Sequence, residues 1–267
     1  MVYQKQFDSF YQHLIKTSIE VLRHYEPADQ PYYGLFSGGK DSVAIKALAS
    51  EADVQVEWHY HVTTIDPPEL VKFIRKHHSD VIWNRPKRPF FAAAREKGFP
   101  TRHARWCCNV FKESRSAPGR RLLLGIRAAE SSRRRNNWAT FTYHRRSKEY
   151  AVLPLLHWRD EDVWQYIRDR GLPYCSLYDE GFQRLGCIGC PMAGRRRLRE
   201  FQRWPAFERA WKKLFQDVWK RRSGTKQRDG RQWFGDRYFS SWEEMWKWWL
   251  YDEPLGNESC DGQMLLW

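Results

Sequence analysis

The chain has 267 residues and a formal net charge of +14, with 46 Lys and Arg against 32 Asp and Glu. A chain of this length can bury a full core, as one large domain or as a core domain with an appendage. No stretch approaches the run of about eighteen apolar residues that a membrane-crossing helix needs, and the opening Met1–Asp8 lacks the apolar core of a signal peptide. A cytoplasmic protein without membrane contact is therefore expected, and its six cysteines point to metal binding or catalysis before disulfides.

Taken in chain order, Phe7–Tyr25 carries apolar residues at Phe10, Leu14, Ile15, Ile19 and Leu22, one face of a helix. Pro31–Phe36 reads as a short buried strand that runs into Ser37-Gly38-Gly39-Lys40-Asp41-Ser42, and Asp41–Ser50 as a helix. Val54–Val62 alternates like a strand, and Pro67-Pro68 opens a helix with proline in its first turn. Asp80–Trp83, Arg121–Ile126 and Tyr150–Leu155 are further strand candidates. Strands alternating with helices predict an α/β fold, a parallel twisted sheet with helices on both faces. A composition shift near Met192 predicts two domains, 1–191 and a basic, Trp-rich, mostly helical region 192–267. There, Trp204, Phe207, Trp211, Leu214, Phe215 and Val218 fall at helical spacing, as do Trp242, Trp246 and Trp249, so these aromatics read as packed helix faces.

The Ser37–Ser42 segment has the physical character of an anion cradle. Its glycines let the backbone turn tightly and approach a ligand without a Cβ in the way. The following helix start offers unpaired N–H groups and the positive end of its dipole. Lys40 adds a charge, Ser37 and Ser42 add hydroxyl donors, and Asp41 is placed to help hold a divalent cation, Mg2+, beside the phosphates. The spacing differs from the common Gly-x-x-x-x-Gly-Lys-Ser/Thr loop. Cys107-Cys108 and Cys187-Ile188-Gly189-Cys190 form two thiolate clusters, able to hold zinc or an iron–sulfur group. An adjacent pair is awkward for one tetrahedral zinc, which favours a [4Fe–4S] cube. Cys175 reads as structural, with a persulfide carrier as the sharper alternative.

Between Met192 and Tyr238 fifteen Lys and Arg stand against five Asp and Glu. Such a surface favours a polyanion through long-range attraction and counterion release. Arg195, Arg196, Arg197 and Arg199, which follow the second cysteine pair, and Arg221 and Arg222 further on are candidates for DNA phosphate contacts. Arg133, Arg134 and Arg135 are candidates for a nucleotide's phosphates or a DNA backbone.

The string Ser-Gly-Gly-Lys-Asp-Ser between strand and helix resembles the signature of the PP-loop ATP-pyrophosphatase superfamily. Trp106-Cys-Cys-Asn-Val-Phe-Lys112, Gly125-Ile-Arg-Ala-Ala-Glu-Ser131, the Leu153–Ile167 stretch and the segment from Leu172 to Cys190 are similar to elements of the phosphoadenosine phosphosulfate (PAPS) and adenosine phosphosulfate (APS) reductase family. The likeness spans roughly residues 30 to 192. It implies a nucleotide site with Gly125 and Arg127 near the ligand, and a [4Fe–4S] cluster on Cys107, Cys108, Cys187 and Cys190. Reductases of this kind end in Glu-Cys-Gly-Leu/Ile-His, whereas this chain ends Asn257-Glu-Ser-Cys-Asp-Gly-Gln-Met-Leu-Leu-Trp267. Cys260 is thus a nucleophile candidate without its usual neighbours. The ATP-pyrophosphatase components of DNA phosphorothioation systems share the scaffold without that tail. The resemblance therefore implies an ATP-dependent sulfur transferase acting on DNA, with Lys40 and Asp41 at the reacting phosphates and a cysteine desulfurase as sulfur donor. The alternatives are an APS or PAPS reductase and a non-catalytic nucleotide sensor.

Overall fold

The computed structural model describes residues 2–113, 119–131, 135–136, 138–144, 148–221, 232–234 and 237–251. In chain order its first elements are α1 (Val2–His24), β1 (Tyr32–Leu35), α2 (Lys40–Glu51), β2 (Val56–His61), α3 (Pro68–His77), β3 (Ile82–Asn84) and α4 (Phe90–Lys97). β4 (Leu122–Leu123), β5 (Phe141–His144), β6 (Glu149–Val152) and α5 (Asp160–Asp169) follow. Last come α6 (Arg196–Arg203), α7 (Pro205–Arg221), β7 (Gln232–Phe234), β8 (Arg237–Phe239) and α8 (Trp242–Tyr251). The chain divides into two units, Met1–Lys87 with Cys107–Cys187, and Arg88–Trp106 with Ile188–Trp267.

The first unit is built on a six-stranded sheet in the order β3-β2-β1-β4-β6-β5. All neighbours run parallel except β5, which pairs antiparallel with β6 at one edge. This is the predicted α/β architecture, with β5 as an added strand. β1 is central, and its Tyr32 and Tyr33 are buried because neighbours flank it on both sides. On one face Tyr33, Leu122, Leu124, Ala151, Leu153 and Leu156 form a continuous apolar cluster. α1 is tied down by polar contacts as well: Tyr32 Oη donates to the Leu22 carbonyl (2.8 Å), and Trp158 Nε1 donates to Ser18 Oγ (2.9 Å), which donates onward to the Pro154 carbonyl. α3 starts on Pro68 and Glu69 and ends on Arg75, Lys76 and His77, so both ends match the helix dipole.

The second unit contains α4, α6, α7, α8 and the antiparallel β7–β8 pair, a small strand element within the helical region. Its core is aromatic: Trp211 stacks on Trp249 (4.6 Å) and Phe99 on Phe215 (4.1 Å), while Trp249 Nε1 donates to the Pro100 carbonyl (2.8 Å). Trp204, Trp211, Leu214, Phe215, Val218, Trp246 and Trp249 are buried, as their helical spacing predicts.

His78, at the end of α3, makes the first unit's stability pH-dependent. It is 7% exposed, packs on Phe36, and accepts a hydrogen bond at Nδ1 from Lys46 Nζ, which also pairs with Asp80. Burial, with Lys46 adding to it, pushes its pKa from the ordinary 6.5 down to about 4, while Asp80 opposes the shift and His77 assists it. A pKa depressed in the folded state means full stability above pH 6.5 and loss as pH falls toward 4. Chemical denaturation at pH 7 and pH 4.5 is expected to differ by up to about 3 kcal/mol, with His78→Leu flattening much of that slope. Equal stability of the wild type at both pH values would contradict this.

Candidate nucleotide site

The strand order reverses between β1 and β4, and ligands of open α/β sheets bind outside the carboxyl ends of the strands at such a reversal. Both segments that leave this point are those singled out in the sequence, Ser37–Ser42 after β1 and Gly125–Arg127 after β4. Gly38 has φ +74°, and a Cβ there would lie 2.7 Å from Leu70 and 2.8 Å from Ile74, so only glycine lets the loop lie against α3. Ser42 Oγ donates to the Gly39 carbonyl (2.7 Å), and Ser37 Oγ to Ser42 Oγ (3.3 Å), which fixes the turn into α2. Gly125 lies against Asp41, where an added Cβ would sit 3.3 Å from its backbone.

Four charged side chains meet at this point. Arg127 is 3% exposed and Lys40 5%. Arg127 Nε donates to Asp41 Oδ1 (2.6 Å) and its Nη2 to Asp160 Oδ1 (2.7 Å). Lys40 Nζ lies 3.1 Å from Asp160 Oδ1 and 3.7 Å from Asp41 Oδ2. Burial alone would raise the Asp160 carboxyl, but Lys40 and then Arg127 outweigh it and hold Asp160 below the usual aspartate range. Two buried cations balanced by two carboxylates form a charge-neutral set that a polyphosphate can enter by taking over the cations. Asp41 and Asp160 would then be left to hold a Mg2+ that arrives with the phosphates, since this ion needs only one or two protein carboxylates there.

Sequence reading expects Ser37, Gly38, Gly39, Lys40, Asp41, Ser42, Gly125 and Arg127 at a nucleotide, and the structure brings the two segments into contact through Asp41. It missed Asp160 and Tyr178. Asp160 opens α5 inside an acidic first turn, Asp160-Glu161-Asp162, which reads from sequence as dipole complement. Asp162 does cap the helix, accepting from the Arg159 N–H (2.7 Å), and Asp160 faces Lys40. The Tyr178 hydroxyl accepts the Lys40 backbone N–H at the start of α2 (2.9 Å).

A sequence profile, the phosphoadenosine phosphosulfate reductase domain, matches residues 31–193. The chain belongs to this family. Among family relatives, an uncharacterized protein of Methanocaldococcus jannaschii is 29% identical over 194 residues, covering 67% of this chain and 47% of the relative. The chain thus spans under half the length of that relative. Among solved structures, a PAPS reductase from Candida auris in a phosphate complex superposes with a TM-score of 0.50 at 20% identity, covering 66% of this chain and 93% of that one. A Candida glabrata FMN adenylyltransferase in complex with ATP gives 0.50 at 19% identity, covering 68% and 62%. At these identities the likeness is one of fold.

Beside the loop, the carboxyl ends of β2 and β3 carry a buried polar chain. His61 Nδ1 donates to the Lys112 carbonyl (2.9 Å), so its Nε2 accepts from Tyr33 Oη (3.0 Å). Asn84 Nδ2 donates to Tyr33 Oη (3.3 Å) and to His59 Nδ1 (3.0 Å). His59 Nε2 lies 2.6 Å from Glu57 Oε1, an ion-pair distance without hydrogen-bond alignment. The chain pins Asn109–Glu113, the π-helical stretch directly after Cys107 and Cys108, to the sheet.

The cysteine and arginine expectations fare differently. Cys107 and Cys108 lie half-buried on a helical turn, and Cys187 Sγ lies 3.5 Å from Thr63 Oγ1 and 4.0 Å from Asp66 Oδ1. Cys190, also half-buried, precedes the Pro191–Ala193 turn, and Cys175 is buried. Among the described residues no group of three or more His, Cys, Asp or Glu side chains is arranged to hold a metal ion. Arg195, Arg196, Arg199 and Arg221 are exposed. Arg197 is corrected: it is 1% exposed with its guanidinium 4.4 Å above the Trp249 ring, a packed cation–π contact and not a phosphate ligand. Cys260, Arg222, Arg133 and Arg134 lie outside the described residues.

Proposed function

We propose that the chain is an ATP pyrophosphatase and sulfur transferase that activates a nucleic-acid phosphate for sulfur insertion, as in DNA phosphorothioation. The observation that carries this reading is the buried Lys40–Arg127 pair at the strand reversal, a counter-charge for a polyphosphate. The ATP complex of the FMN adenylyltransferase supports ATP as a ligand of this fold. In the proposed reaction a phosphate oxygen of DNA attacks the α-phosphorus of ATP and pyrophosphate leaves, giving an adenylated phosphate. The terminal sulfur of a persulfide from a cysteine desulfurase then attacks the DNA phosphorus and expels AMP. A second thiol takes the carrier sulfur as a disulfide and leaves the phosphorothioate. Lys40 and Arg127 would stabilise charge developing on the pentavalent phosphorus and the leaving pyrophosphate. The exposed Arg195, Arg196 and Arg199 around the start of α6 supply cations for a DNA backbone.

Membership of the PAPS reductase domain family supports a second reading, reduction of APS or PAPS to sulfite with Cys260 as nucleophile. One experiment separates the two. Anaerobically prepared protein is expected to release pyrophosphate from ATP in the presence of an oligonucleotide and a persulfide donor, and to bind that oligonucleotide less tightly as salt rises. Sulfite from APS or PAPS with thioredoxin, without pyrophosphate from ATP, would favour the reductase. Iron and sulfide at about four each per chain would support a cluster on Cys107, Cys108, Cys187 and Cys190; metal-free active protein would dismiss it.

A further inference from the structure

Tyr178 sits at the mouth of the loop with a hydroxyl that is only half used. Its oxygen accepts the Lys40 backbone N–H at 2.9 Å, and among the described residues no acceptor takes its own proton. The ring is held from several sides. Trp164 meets it edge-on at 4.9 Å, Lys40 Nζ lies 5.8 Å from its centroid, and its backbone closes a tight turn on Cys175 and Gly181. The hydroxyl lies 3.4 Å from where a side chain on Gly39 would begin, so the phenol stands in van der Waals reach of the loop. Burial, with Asp41 and Asp160 contributing, raises the phenol's pKa despite the Lys40 N–H, so it keeps its proton and remains a donor.

We propose that Tyr178 is a phosphate-contacting residue of the nucleotide site, accepting from the loop through its oxygen and donating its proton to a phosphate oxygen of the bound nucleotide. This rests on the reading of the site as an ATP site. A hydroxyl whose oxygen already accepts the Lys40 N–H has its own proton left to donate, and it stands at the loop where Lys40 and Arg127 would hold a polyphosphate. The opposite role is a plug, in which the phenol occupies the helix start and must leave before a phosphate can bind. The two roles give opposite results in one substitution. Tyr178→Phe keeps the ring and its packing on Trp164, and removes only the hydroxyl.

Binding of ATP, inorganic pyrophosphate and adenosine to the wild type and to Tyr178→Phe is measured by calorimetry, with thermal melting as a check on folding. ATP and pyrophosphate are expected to bind the variant roughly tenfold or more weakly, as for loss of a hydrogen bond to a charged group. Adenosine should bind both proteins alike. Unchanged or tighter pyrophosphate binding by the variant would overturn this role and leave the ATP reading standing. Equal weakening of adenosine would also overturn it, by pointing to a general distortion. A wild type that binds neither ATP nor pyrophosphate would overturn both the role and the reading beneath it.

Discussion

Arg127→Ala is expected to slow pyrophosphate release from ATP by roughly a hundredfold to a thousandfold, the usual cost of removing one preorganised donor from a developing anion. The reason is a change of sign as well as a lost contact. With Arg127 present, two cations and two carboxylates balance at the strand reversal. Without it, Lys40 alone faces Asp41 and Asp160, and the set carries a net negative charge in front of an incoming triphosphate. Arg127→Lys tests geometry separately from charge. The guanidinium bridges two carboxylates with Nε on Asp41 and Nη2 on Asp160, and one ammonium cannot reproduce that fork, so Lys is expected to recover only part of the activity. Asp160 is half-exposed, so water screens part of the pair, and the stability loss should stay near 1–3 kcal/mol, measurable by denaturant titration. An Arg127→Ala protein that turns over ATP at the wild-type rate would remove Arg127 from the phosphate site.

Much of this site was legible because its parts are local in sequence. Six consecutive residues, Ser37–Ser42, contain the turn, the charge and the helix start. Gly125 and Arg127 were marked by a short motif with its own spacing. What stayed hidden depends on tertiary placement. Asp160 looks like ordinary dipole complement until the sheet order brings the start of α5 to Lys40. Tyr178 is one of thirteen tyrosines, and only a 2.9 Å contact distinguishes it. Arg197 shows the reverse error. Among Arg195, Arg196, Arg197 and Arg199 no phase can be read from the sequence, yet one turn of α6 packs Arg197 on Trp249 while Arg195, Arg196 and Arg199 face solvent. The strand pattern was read from apolar runs, which missed β5, whose Phe141, Thr142, Tyr143 and His144 lack one. It is an edge strand, held by β6 on one side only, so it needs no fully apolar sequence.

Gly189→Ala is expected to be among the most destabilising single changes in the second unit, by several kcal/mol. Gly189 has φ +76°, a region where an L side chain is strained by about 1 kcal/mol or more. A Cβ there would also lie 2.4 Å from Trp211 Nε1 and 3.0 Å from Phe201. Neither ring can yield, because Trp211 is fully buried, stacked on Trp249, and donating through that same Nε1 to the Ile188 carbonyl (3.1 Å). Overpacking of this kind adds about 1–3 kcal/mol. The Gly189 N–H donates to Glu200 Oε2 (2.8 Å), whose carboxyl burial raises above the usual glutamate range, so pushing the turn outward strips a buried acceptor of its donor as well. The strain and the clash act on the backbone between Ile188 and Cys190, so the substitution should also change how readily Cys190 reacts with a thiol reagent, while leaving the buried Cys175 protected. Denaturant titration reads the first effect and mass-resolved alkylation the second. A Gly189→Ala protein as stable as the wild type, with unchanged Cys190 reactivity, would show that the turn is not locked by Trp211 and Glu200.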